Sequence, residues 1–146
     1  MKVYAVDLET DAIEARPDYP PKPVCIGIVG PGVKSCTFYN ENGWLTDLKR
    51  LWDDPSVEFV FHNAKFDLAV LYETLGFRRL PWHRVHDTMF QAFLIDPYSR
   101  SLSLKPLAER YLNEPPQEKD ELIDWIVANI PEAKRARNRW FRFVRR

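Results

Sequence analysis

VYAVDLET, residues 3–10, runs from apolar residues straight into Asp7 and, one residue later, Glu9. Strand side chains alternate between faces with a period of two, so on a strand both acids point the same way. Like charges on one face repel, and desolvation raises their pKa values unless a cation stands between them. A divalent ion is the usual remedy, because hard cations take carboxylate oxygens. A plainer reason also exists, since strand ends carry acids where they meet solvent. Which reason applies depends on what else the fold brings to that end of the strand.

Around this opening strand, residues 2–8, the chain alternates apolar runs with turn signals. PVCIGIVG (23–30) and KSCTFYN (34–40) read as two strands joined through Pro-Gly-Val, a hairpin turn. LTDLKRLW (45–52) has the apolar spacing of an amphipathic helix. VEFVFHN (57–63) reads as a buried strand and FDLAVLYETLG (66–76) as a helix stopped by Gly76. A short extended piece near Val85 leads through Asp87-Thr88 into the helical MFQAFLI (89–95). LKPLAERYL (104–112) and EKDELIDWIVANI (118–130) make two further helices, and Pro-rich loops lie at 15–23 and 113–117. Three strands followed by alternating helices and strands predict an α/β fold. Its sheet is mixed, with an antiparallel edge hairpin, and is packed by helices. In such sheets the site lies beyond the carboxyl ends of the parallel strands.

FHNAKFDLAVL (61–71) crosses another of those ends. Asn63 and Asp67 are four residues apart across the strand-to-helix junction, so both can face the same crevice. Each also has a structural role open to it: Asn63 as helix cap, Asp67 as an acid favoured by the dipole in the first turn. If the first and fourth strands are neighbours, Asp7, Glu9 and Asp67 converge. Three carboxylates share a site cheaply only with cations.

The 146 residues suffice for one ordinary domain, and 45% hydrophobic content argues against disorder. No apolar run is long enough for a membrane helix and no secretory signal opens the chain, so a soluble intracellular protein is expected. Cys25 and Cys36, in adjacent strands, read as buried thiols. The zero net charge hides an asymmetry. Residues 133–146, AKRARNRWFRFVRR, hold seven basic residues and no acid. Subtracting those seven from 21 leaves 14 basic against 21 acidic residues, a net charge of −7 for the remainder. A basic tail on an acidic body suits contact with a polyanion, and a solvated terminal helix equally well.

AVDLET, HNAKFDLAVL and HDTMFQAFLIDPYSRSLSLKPLAERYL together resemble the 3′–5′ proofreading exonuclease domain of family A DNA polymerases, phage ones above all. That domain belongs to the DEDD exonuclease superfamily, with a ribonuclease H-like fold. The resemblance runs to about Ile130, giving an exonuclease-like domain over 1–130 and a basic, aromatic helix or tail over 131–146. It implies that Asp7, Glu9 and Asp67 bind two divalent cations, Mg²⁺ or Mn²⁺. It further implies that Leu8 and Thr10 lie beside the terminal sugar and base, and that Asn63 helps hold the strand. Asp87 and Thr88 are expected to have a structural or capping role. The implied substrate is the 3′ end of single-stranded DNA, and the implied partner a polymerase domain in the same or a larger polypeptide. The implied setting is the cytoplasm of a bacterial or phage-infected cell.

One element of the pattern is missing. The family's fourth acid follows a Tyr by four residues or a His by five, in a late helix. No Tyr here has such an Asp, and the match of His62 with Asp67 uses an acid already assigned to the second motif. Either the chain is truncated before that motif, or Asp120, Glu121 or Asp124 replaces the acid. Asp120 and Asp124 share a helical face opposite Leu122, Ile126 and Ile130, which reads as solvated surface, so truncation or loss of activity is the expectation. The alternative function is a catalytically impaired nucleic-acid-binding or interaction module.

Overall fold

The computed structural model describes residues 1–114, apart from Asp18 and residues 39–43, together with Ala128. Its elements are β1 (Lys2–Thr10), β2 (Pro23–Gly30), β3 (Val33–Phe38), α1 (Trp44–Asp53), β4 (Val57–Phe61) and α2 (Ala64–Leu75). A turn of 3-10 helix, Trp82–Arg84, then leads to β5 (Val85–Asp87), α3 (Thr88–Ile95) and α4 (Leu104–Leu112). The backbone divides into two units between Ser99 and Arg100, and the described part of the second is chiefly α4. The helix expected over 118–130, the acids Asp120, Glu121 and Asp124, and the boundary expected at residue 130 lie outside the described residues.

One sheet organises the first unit, in the order β3-β2-β1-β4-β5. β1 pairs antiparallel with β2, and β2 with β3, while β1–β4 and β4–β5 are parallel. This is the expected mixed sheet with an antiparallel edge hairpin. The hairpin closes through Pro31-Gly32, where Gly32 takes φ 73°. Pro at the first and a positive-φ Gly at the second position are what a type II turn requires. Gly30 has a different reason: a Cβ there would overlap the ring of Tyr4, whose hydroxyl donates to the Pro31 carbonyl at 3.1 Å.

Alternation along β1 assigns the two faces of the sheet. Tyr4, Val6 and Leu8 are buried, together with their partners Ile26 and Ile28 on β2 and Phe59 on β4. Leu48, Leu51 and Trp52 of α1 and Leu68, Val70 and Leu71 of α2 complete that core. Trp52 anchors it: its ring lies 4.9 Å from Phe59 and 5.1 Å from Phe77, and its indole N–H donates to the Arg79 carbonyl at 2.8 Å. Val3, Ala5, Asp7 and Glu9 point to the opposite, exposed face. Arg84 fastens the α1–β4 connection by donating to the carbonyls of Trp52, Asp54 and Val57, each within 2.9 Å. One guanidinium thus serves three backbone acceptors, at a helix end, in a loop and at the start of a strand.

Several boundaries differ from expectation for local reasons. β1 continues to Thr10, because β2 goes on pairing with it past Asp7. β4 stops at Phe61, since Asn63 takes a left-handed conformation (φ 70°, ψ 51°) that ends the strand. His62 therefore lies in a turn, and α2 begins two residues early, at Ala64. Cys25 is half-buried instead of buried, on the open side of β2. It stands opposite Phe38, and Cys36 opposite Gly27, so the two cysteines are not cross-strand partners.

Candidate active site

β1 is longer than its parallel neighbour β4. The β1–β4 register ends with Ala5 against Val60, and the chain leaves β4 after Phe61. The backbone N–H of Leu8, beyond that point, needs another acceptor, because a buried unpaired donor is costly. Asp67 supplies it: Oδ1 of this first-turn residue of α2 accepts the Leu8 N–H at 3.1 Å. This bond fixes a carboxylate, 3% exposed, against the end of β1.

Asp7 and Glu9 flank Leu8 on the exposed face of β1. Gly27 faces Asp7 across the β2 pairing and Cys25 faces Glu9. Opposite Asp7, then, no side chain intrudes. Between Glu9 and Thr10 the register shifts, pairing Thr10 with Pro23. Such irregularities bend a strand end and re-aim its side chains.

The three acids feel one another. Burial first, then the charge of Asp7, pushes the Asp67 carboxyl up to about 7; the Leu8 hydrogen bond opposes this and Asp87 adds slightly to it. Glu9 is also raised, by partial burial and then by Asp7. Asp7 is therefore the charge common to both neighbours. Among the described residues, none of the three has a basic partner. Nor do any three described His, Cys, Asp or Glu side chains stand close enough together to hold a metal ion as placed. The donor set nonetheless fits a hard cation: it is all carboxylate, one member is buried, and its mutual repulsion is uncompensated.

The other expected residues are disposed unequally. Leu8, expected beside a terminal sugar and base, turns its side chain into the core, 5% exposed. Alternation forces this, because Leu8 lies between two outward acids. Thr10 is half-buried, its hydroxyl donating to the Asp11 carbonyl at 2.9 Å. Asn63 occupies the N-cap position of α2 and makes no side-chain capping bond. Its exposed amide is left facing outward at the junction.

Capping is done instead by Asp87, in keeping with its expected structural role. Its Oδ1 accepts from the N–H groups of Asn63 (3.1 Å), Met89 (2.9 Å) and Phe90 (3.3 Å), and its Oδ2 from Ala64 (3.0 Å). One carboxylate thus serves the first turns of both α2 and α3, where helix dipoles favour negative charge. In the sequence, an Asp directly before an apolar helix announces a cap for α3. The reach across 24 residues to α2 has no local signal.

These features, a mixed sheet with acids beyond its parallel strand ends, define a ribonuclease H-like fold. A model of the 3′–5′ exonuclease family matches residues 1–135, and the chain belongs to that family, a metal-dependent one of the DEDD type. The DNA polymerase of Escherichia phage T5 is 30% identical over 115 residues, 73% of this chain. DNA polymerase I of Treponema pallidum is 34% identical over 64 residues, 44% of this chain. The chain spans only 13% and 6% of those polymerases. Brucella melitensis NrnC, solved with bound Mg²⁺, superposes with a TM-score of 0.63 at 23% identity, covering 80% of this chain and 56% of that one. Escherichia coli RNase D, described as an exoribonuclease involved in structured RNA processing, gives 0.61 at 21% identity, covering 77% and 28%. At these identities the likeness to solved structures bears on the fold. Among the described residues, no helix is long and apolar enough to cross a membrane.

Proposed function

We propose that the chain removes nucleotides from the 3′ end of single-stranded DNA, in the manner of polymerase proofreading. Asp7, Glu9 and Asp67 would hold two divalent cations, Mg²⁺ or Mn²⁺. When bound, such ions make water nucleophilic near neutral pH and offset charge on the leaving oxygen. The protein's own part is to fix three carboxylates around the scissile phosphate, with Asn63 and Thr10 at the edge of the crevice to orient the strand. Water attacks the phosphorus joining the last two nucleotides, the 3′ oxygen of the penultimate one leaves, and a nucleoside 5′-monophosphate departs. A polymerase domain in the same or a larger polypeptide would be the working partner.

The observation that carries this reading is the Asp67–Leu8 hydrogen bond, which holds a buried carboxylate beside the Asp-x-Glu end of β1. The two polymerases similar to this chain support DNA; the RNase D likeness keeps RNA as the competing substrate. Digestion of 5′-labelled single-stranded DNA and RNA of one sequence, with Mn²⁺ and an Asp7→Ala control, tests both points. Stepwise 3′ shortening of DNA that disappears in the control is expected. Preference for RNA would overturn the proofreading reading while leaving the nuclease. A second reading, a nucleic-acid-binding module without efficient cleavage, draws on the three acids not being gathered at metal distance. Strand binding without metal-dependent shortening would favour it.

A further inference from the structure

The turn between β4 and α2 is gripped at four consecutive residues by two adjacent ones. The Thr88 hydroxyl donates to the Phe61 carbonyl at 3.1 Å and accepts from the His62 ring at 2.9 Å. Because the one hydroxyl proton goes to Phe61, Nδ1 of His62 carries the proton it shares with Thr88. Asp87 then takes the N–H groups of Asn63 and Ala64, one on each carboxylate oxygen. We infer that Asp87 and Thr88 are positioning residues for Asp67 and Asn63: their grip on residues 61–64 sets where α2 presents its carboxylate to β1. This inference rests on the reading of Asp67 as a metal ligand.

Asp67 follows Ala64 by less than one helical turn, so any tilt or fraying of α2 at its start displaces that carboxylate directly. Asn63 is held at φ 70°, a left-handed conformation that Asn tolerates better than other non-glycine residues. Asp87 accepts the Asn63 N–H and the Phe66 N–H donates to the Asn63 carbonyl at 2.9 Å, while the Asn63 side chain makes no capping bond. Using Asp87 as the cap therefore leaves the Asn63 amide outside the capping network. Two acceptor oxygens are needed, since Oδ2 serves α2 alone while Oδ1 is shared with α3. An Asn at position 87 has one acceptor oxygen and would turn its NH₂ toward the donors of one helix.

Mn²⁺ binding to the full 146-residue chain, followed by the electron paramagnetic resonance of free Mn²⁺, separates this role from plain stabilisation. Asp87→Asn and Thr88→Val should each weaken Mn²⁺ binding about tenfold to a hundredfold while circular dichroism stays that of the parent. Thr88→Ser keeps the hydroxyl and should restore affinity. In an Asp67→Asn background Asp87→Asn should have little further effect, because both act through one ligand. A parent chain whose Mn²⁺ binding ignores Asp67→Asn would remove the metal reading and this inference with it. A parent that needs Asp67 but binds equally well with Asp87→Asn and Thr88→Val would overturn the inference alone. Should Asp87→Asn unfold, the Thr88→Val and Thr88→Ser pair decides: lost and restored affinity supports the grip, unchanged affinity overturns it.

Discussion

Oδ1 of Asp67 accepts the Leu8 amide at 3.1 Å, at the level where β4 has already turned away from β1. A side chain from a helix here does what a strand partner would otherwise do, and a buried negative charge comes with it. Much of the expected behaviour of the protein follows from that substitution of roles.

The first consequence is a pH dependence of stability without metal. Asp67 ionises near 4 when unfolded and at about 7 when folded. Between those values the folded state binds more protons, so stability should fall as pH rises from about 4 through about 7. Glu9, also raised, contributes in the same direction. The loss from Asp67 is at most about 4 kcal/mol by linkage. Urea unfolding between pH 4 and 8, with chelator present, should show this slope, and Asp67→Asn should flatten it.

Divalent cations should reverse that loss. An ion that binds only the folded state, at a hundred times its Kd, adds about 2.7 kcal/mol, or roughly 5–10 °C in Tm at this chain length. Asp7→Asn should shrink the Mg²⁺- or Mn²⁺-induced rise and raise the metal-free Tm slightly, since Asp7 is the charge felt by both other acids. Equal metal-induced shifts in parent and variant, read by scanning calorimetry, would remove Asp7 from the site.

At Asn63, stability and binding should part company. Its side chain makes no capping bond, and its left-handed backbone costs an ordinary residue roughly 1–2 kcal/mol. Asn63→Ala should therefore destabilise by about that amount, while Asn63→Gly should be neutral or mildly stabilising. Both remove the amide, so both should weaken single-stranded DNA binding severalfold in fluorescence anisotropy. If only the alanine variant binds poorly, Asn63 acts through the fold and not on the strand.

The fourth acid of the family pattern sets a last expectation. The 146-residue chain, in which no Tyr is followed by an Asp four residues on, should shorten single-stranded DNA stepwise but slowly, because a site short of one ligand and its hold on water loses orders of magnitude in rate. Appending a helix carrying Tyr-x-x-x-Asp from a similar polymerase domain should restore Mn²⁺-dependent mononucleotide release. Robust cleavage by the unextended chain that Asp124→Asn abolishes would show a local acid in its place.

The sheet was legible in the sequence because its signals are local: alternation in VYAVDLET, a Pro-Gly hairpin, and Gly76 at the end of α2, where it takes φ 73°. The site was legible as a set of acids and not as a set of bonds. Asp67 follows its motif spacing, yet its partner Leu8 lies 59 residues away. No periodicity reports a contact of that range. Asn63 looked like a cap because caps are usually local. Asp87 took that task from across the β4–β5 pairing, and the swap is visible only once parallel register is known. The burial of Leu8 was illegible for a simpler reason: a motif names neighbours without saying which of them alternation turns inward.

The reach of Asp87 back to Asn63 and Ala64 also bears on the order in which the chain matures. Synthesis delivers residues 1–67, and with them all three acids, before Asp87 exists. Until β5 docks beside β4, the start of α2 lacks its Asp87 acceptor. A nascent chain is therefore expected to settle the start of α2, and with it the reach of Asp67 to β1, only once residues 87 and 88 have been added.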